Sequence, residues 1–139
     1  MTTVLFDTNV VLDVLLDRQP HAEASAAAWS AIEAGTSSGF LAAHAITTIH
    51  YLIRKELGDA KARRIIAAIL RVFSIAAVDG AVIQEALKLS LADFEDSVTV
   101  AAAQLAGCQF IVTRDPKGFR GSAPRSLTPE ALLPILLAK

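Results

Sequence analysis

The apolar positions along the chain fall into short runs and longer stripes that alternate with one another. Residues 3–6 form a compact run, β-branched in part, that stops at Asp7, Thr8 and Asn9. Val10, Val11 and Leu12, then Val14, Leu15 and Leu16, follow at helical spacing, so the pattern predicts a strand leading directly into a helix N-terminus. Because Val4, Leu5 and Phe6 are consecutive rather than alternating, this strand is expected to be covered on both faces, as in a parallel sheet.

The alternation continues to the end of the chain. A helix over 21–34 with a stripe of alanines, Trp29 and Ile32 closes at Gly35. A strand over 39–43 leads into a helix carrying Ile46, Ile49, Leu52 and Ile53, stopped by Gly58. Asp59 reads as the N-cap of the next helix, which runs to about residue 71 with Ile65, Ile66, Ile69 and Leu70 inward. Residues 73–78 read as a third strand, and Asp79 as the start of a helix with Val82, Ile83, Ala86 and Leu87 inward. A helix over 93–106 ends at Gly107, a strand follows at 109–113, and a stretch rich in Gly, Pro and Ser at 116–126 precedes a last strand or turn near Leu127 and a short helix from Pro129. This order predicts an α/β fold, a three-layer α/β/α sandwich with a mainly parallel central sheet, in a single domain over 1–139.

Composition narrows the class of protein. The chain has 139 residues, 53% hydrophobic and 19% charged, with 26 alanines against 8 aromatics, so its apolar mass is helix-forming rather than bulky. A single cysteine, Cys108, excludes an internal disulfide and fits a reducing compartment. The mean hydropathy of +0.47 is high. Even so, the charge-free stretches 34–53 and 97–113 are interrupted by Gly, Ser, Thr, Gln or His, and the N-terminus has no basic region of a signal peptide. No membrane association and a cytoplasmic location are therefore expected.

Ligands of a parallel α/β sheet sit beyond the carboxyl ends of its strands. Asp7 follows the first strand, Asp115 follows the strand at 109–113, and Asp96 lies in the first turn of the helix from Asp93, so all three are expected on one edge. Any one of them alone is equally a cap or a turn former. Three together repel, and a cluster that stays ionised needs a cation; hard oxygen donors with few His or Cys point to Mg²⁺ or Mn²⁺.

The formal charge of −1 excludes a uniformly basic surface. The charges are nevertheless segregated: Arg54, Lys55, Lys61, Arg63, Arg64 and Arg71 outnumber Glu56 and Asp59, whereas 79–96 holds five acids and only Lys88. Arg114, Lys117, Arg120 and Arg125 lie beside Asp115 and are the candidates for holding phosphate. His21 and His44 read as capping or surface residues. Phe6, Phe73 and Phe110 read as core, and Phe94 and Phe119 as packing the loops around the acidic motifs.

Three segments, VLFDTNVVLDVLLDR, DFEDSVTVAAAQLAG and IVTRDPKGF, in this order across nearly the whole chain, resemble the PIN-domain family of metal-dependent ribonucleases, in particular small prokaryotic members such as toxins of the VapC type. The resemblance implies that Asp7, Asp96 and Asp115 hold one or two Mg²⁺ or Mn²⁺ ions for hydrolysis of RNA. It also implies that Thr8, Asn9 and Thr113 orient the site. One position departs: where the family usually has Glu on the helix after the second strand, ITTIHYLIRK has His50, a ligand suited to Mn²⁺ rather than Mg²⁺. Asp93 or Glu95 could restore the missing charge. An antitoxin protein is the partner implied, and the alanine- and leucine-rich helices suit a homodimer as well. The alternative is a catalytically degenerate domain that binds RNA or protein without cleaving.

Overall fold

The computed structural model describes residues 1–138. Its elements are β1 (Thr2–Phe6), α1 (Thr8–Leu15), α2 (Ala22–Glu33), β2 (Ser37–Ala42), α3 (Ala43–Leu57), α4 (Asp59–Ile69), β3 (Ser74–Ala76), α5 (Gly80–Leu87), α6 (Phe94–Leu105), β4 (Phe110–Val112), a 3₁₀ turn (Pro116–Phe119), β5 (Arg125–Leu127) and α7 (Pro129–Leu137). The five strands pair in the order β3-β2-β1-β4-β5, every pair parallel. The chain builds outward from β1 to β3, then returns across the sheet to β4, and α5 with α6 makes that return. Right-handed crossovers place this pair on the face opposite the helices that precede it. The fold is thus the expected α/β/α sandwich, and its sheet is wholly parallel.

The central strand is buried as its consecutive apolar run requires: Val4, Leu5 and Phe6 are fully inaccessible. Helix α6 is sunk equally deep, with every residue from Ser97 to Ala103 buried. A helix can be enclosed all round only where its side chains are small enough to let neighbours approach, and Ala101, Ala102 and Ala103 supply that. Side-chain caps fix the helix starts at Asp79, whose carboxylate accepts from Val82 N at 3.1 Å, and at Thr128, whose hydroxyl accepts from Ala131 N at 3.2 Å.

Several expectations need correction. Gly58, with φ of 87°, occupies the cap position before α4, and Asp59 is already helical; its carboxylate faces Arg63 one turn on at 2.9 Å instead of capping. The third strand is only Ser74–Ala76, because Phe73 turns into the core rather than pairing. Leu70, Ile83 and Leu87 are exposed. Leu70 follows the last turn of α4, and α5 buries only the narrow stripe of Val82 and Ala86.

Phe73 anchors the sheet to α2. Its ring meets Phe6 edge-on with centroids 4.9 Å apart and Trp29 at 5.0 Å. Gly39 in β2 makes room for it: a Cβ there would stand 2.7 Å from the Phe73 ring and 2.9 Å from Ile32 Cγ2. Gly39→Ala should therefore overpack the core and lower the unfolding free energy by about 1–3 kcal/mol, read from a denaturant titration. Gly39→Ala combined with Phe73→Leu should recover part of that loss.

Candidate metal centre

The carboxyl ends of β1 and β4 lie side by side, with Phe6 in register with Val112. The ladder extends one step further, since Asp7 N donates to Val112 O at 2.9 Å. That bond fixes Asp7 at the sheet edge next to Thr113. Asp7 also caps α1, its Oδ1 accepting from Thr8 N at 2.8 Å. Its other oxygen, Oδ2, accepts from the Thr113 hydroxyl at 2.8 Å. The same hydroxyl oxygen accepts from Asp115 N at 3.2 Å, and Asn9 Nδ2 reaches it at 3.5 Å. Asn9 Oδ1 in turn accepts from Arg114 N at 3.3 Å. Asn9 and Thr113 thus bind the strand end that carries Asp7 to the loop that carries Asp115, and Thr8 acts on Asp7 alone, through its backbone N–H.

Asp96 comes from the opposite side of the sheet, in the first turn of α6. Its carboxyl is pushed up to about 6, first by burial and then by the charges of Asp7, Asp93, Glu95 and Asp115. Asp7 is also raised, by burial first; its bonds from Thr113 and Thr8 work against this, Glu95 adds to it and His44 opposes it. Gly118 marks where two of the carboxylates converge. A Cβ at that position would lie 3.2 Å from Asp96 Oδ2 and 3.7 Å from Asp115 Oδ2.

The remaining acidic candidates divide. Asp93 Oδ1 accepts from Asp96 N at 3.2 Å, which makes it the N-cap of α6. Glu95 is exposed, and it acts on Asp7 and Asp96 through its charge.

The histidine at this site is not the expected one. His50 sits on the α3–α4 hairpin with Nε2 3.3 Å from Asp59 Oδ1, which corrects the reading of His50 as the replacement for a site glutamate. His44, in the first turn of α3, is the histidine whose charge reaches Asp7. Its Nε2 lies 3.3 Å from Thr99 Oγ1, and because that hydroxyl already donates to Glu95 O, Nε2 is the donor. His44 was therefore misread as a capping or surface residue. Its place before a run of apolar helix positions gave no sign of the contact with α6.

Of the basic candidates, Lys117, Arg120 and Arg125 are exposed, while the Arg114 side chain is directed at Asp13. Phe119 is buried and seats the 3₁₀ turn on the core, whereas Phe94 is exposed. Cys108 is buried and its thiol pushed up to about 11, so it offers no nucleophile.

Among the described residues no three His, Cys, Asp or Glu side chains are drawn together closely enough to enclose an ion. The donor set nevertheless fits one. It consists of carboxylate oxygens, it carries repulsion that a cation would relieve, and Gly118 keeps the room between Asp96 and Asp115 open. Asp7, Asp96 and Asp115 are the residues that could hold a hard divalent cation.

The sign of the pH response follows. A carboxyl whose folded-state value lies near 6, against 3.8 for the ordinary group, burdens the fold with an unfavourable charge above that window. Protonation removes the burden as the pH falls through it. Metal-free protein should accordingly melt at a higher temperature at about pH 5 than at about pH 7.5. Asp96→Asn should raise the melting temperature at the higher pH and flatten the difference. Mn²⁺ added at the higher pH should stabilise the wild type and leave Asp96→Asn nearly unmoved.

A model of the PIN-domain family matches residues 3–117. No curated protein matches the sequence. Among solved structures, the chain is similar to a toxin–antitoxin complex from Klebsiella pneumoniae, with 23% identity, a TM-score of 0.65 and coverage of 91% of this chain and 97% of the other. It is similar to the DNA-bound VapBC of Salmonella typhimurium, with 13% identity, a TM-score of 0.69 and coverage of 93% and 99%. The third is VapC20 of Mycobacterium tuberculosis, a toxin that cleaves the sarcin–ricin loop, with 15% identity, a TM-score of 0.61 and coverage of 78% and 86%. At these identities the likeness is one of fold. The family match spans Asp7, Asp96 and Asp115 alike, and the chain belongs to the PIN-domain family.

Proposed function

We propose that the chain is a divalent-metal-dependent endoribonuclease that hydrolyses RNA phosphodiester bonds, and that it is the toxin of a toxin–antitoxin pair. The observation that carries this reading is the convergence of Asp96 and Asp115 on Gly118, next to the Asp7–Thr113 bond at the carboxyl edge of a parallel sheet. Carboxylates in that number at one place raise one another's affinity for protons and for cations alike.

When bound, Mg²⁺ or Mn²⁺ supplies positive charge against the phosphodiester and acidifies water for in-line attack. Everything else falls to the chain's own side chains. Asp7, Asp96 and Asp115 hold the ion. Thr113 and Thr8 hold Asp7 in one orientation through its two oxygens, each of which keeps a lone pair free. Lys117 and Arg120, exposed on and just after the 3₁₀ turn, are the side chains assigned to backbone phosphates next to Asp115, which their exposure and charge support.

The partner belongs to the same reading. The structures of similar fold include toxin–antitoxin complexes, and this chain leaves Ile83, Leu87 and Phe94 exposed on and near α5, apolar surface that suits a homodimer or an antitoxin segment.

Incubation of purified protein with RNA and either Mg²⁺ or Mn²⁺ should give endonucleolytic cleavage that chelation abolishes. Asp7→Asn and Asp96→Asn should each abolish it while remaining folded. Wild-type protein that binds RNA but leaves it intact with both metals would establish a binding module instead.

A further inference from the structure

Asp13 is a carboxylate with no exposure at all, in a helix whose other buried residues are Val10, Val11 and Leu12. Its one charged partner among the described residues is Arg114, with Nε 2.7 Å from Oδ2. The approach is that of an ion pair rather than an aligned hydrogen bond, and neither Asp13 oxygen has an in-line donor. A charge buried in this way is a poor source of stability, because desolvation offsets most of the attraction. A leucine at position 13 would suit the core better.

The pair is placed where geometry matters more. Arg114 stands between Thr113 and Asp115, at the point where β4 leaves the sheet. Helix α1 takes hold of it twice from positions one turn apart: Asn9 accepts its backbone N–H at 3.3 Å, and Asp13 takes its guanidinium. The same helix is capped by Asp7. A displacement of Arg114 would therefore carry Thr113 Oγ1 away from Asp7 and shift Asp115 relative to Asp96.

We propose that the Asp13–Arg114 pair is a clasp that fixes the Asp115 loop against α1, and that both are positioning residues for the carboxylate cluster. The proposal rests on the reading of that cluster as a metal centre. Arg114 then acts through Asp115 rather than by holding phosphate itself.

The test is Asp13→Leu combined with Arg114→Leu, which removes the pair without stranding a buried charge. Two quantities are read: amide hydrogen exchange, and the dissociation constant for Mn²⁺ from calorimetric titration. The amides of Asp115 and Gly118, which donate to Thr113 Oγ1 and Asp115 O, should exchange at least about tenfold faster, while Ile111 and Val112 in β4 keep their protection. Mn²⁺ binding should weaken by about 10–100-fold. Asp13→Asn, which removes the charge and keeps the volume, tests the idea should the double variant not fold and should move both quantities in the same direction, whereas Arg114→Lys, which keeps a cation against Asp13, should leave most of both in place. Unchanged exchange at Asp115 and Gly118 overturns the clasp, and faster exchange with unchanged Mn²⁺ affinity, where Asp7→Asn weakens that affinity, overturns the positioning role. Asp7→Asn in the same titration separates the two ideas: if it too leaves Mn²⁺ affinity unaltered, the metal centre fails, and the exchange result still decides whether the loop is clasped.

Discussion

The parallel pairing of β1 with β4 is the constraint on which the site depends. The connection from β1 leads to one side of the sheet and the strand on its other side is β4, so the chain order reverses between them. At such a reversal the loops diverge to opposite faces and leave a crevice. Two loops that are distant in sequence, after Phe6 and after Val112, are forced to emerge together. The added bond from Asp7 N to Val112 O makes this juxtaposition rigid before any side chain is considered.

Around that fixed edge the electrostatics are unfavourable by design of the fold. Helix N-termini help: Asp7 caps α1 and Asp93 caps α6, and partial positive charge at those ends offsets some of the repulsion. The carboxyl of Asp96 stays raised, by burial first and by the neighbouring charges second. Caps and strand ends therefore hold acidic groups in a place where the free carboxylates would otherwise spread apart, and the strain is retained locally while the core beneath, from Val4 to Phe6, is wholly apolar.

Much of this was legible in the sequence for identifiable reasons. Three consecutive apolar residues before Asp7 announced a strand covered on both sides, and strand ends in a parallel sheet point to one edge, so Asp7, Asp96 and Asp115 could be grouped. The histidines could not be sorted in the same way. Over the six residues from His44 to His50 a helix turns about 600°, which leaves them roughly 120° apart round the axis, and which one meets the site depends on a helix start known only to within a residue or two. Asp13 was passed over because an acidic residue one turn into an amphipathic helix reads as solvent-facing, and its partner lies at the far end of the chain. Leu70, Ile83 and Leu87 followed the inward stripe in sequence, yet their helices meet the core along a narrower face than the stripe is wide.

Gly118 has ordinary backbone angles, unlike Gly35, Gly58, Gly107 and Gly121, so no turn requires glycine there. What the position contributes is a dimension: the clearance beside Asp96 Oδ2 and Asp115 Oδ2 is set by a side chain reduced to a hydrogen atom. Hard divalent cations share a preference for carboxylate oxygen and differ chiefly in radius and in the number of ligands they demand. In the proposed metal centre, selectivity among them would thus be a property of the steric frame around the donors, and one residue with no functional group would hold a side of that frame.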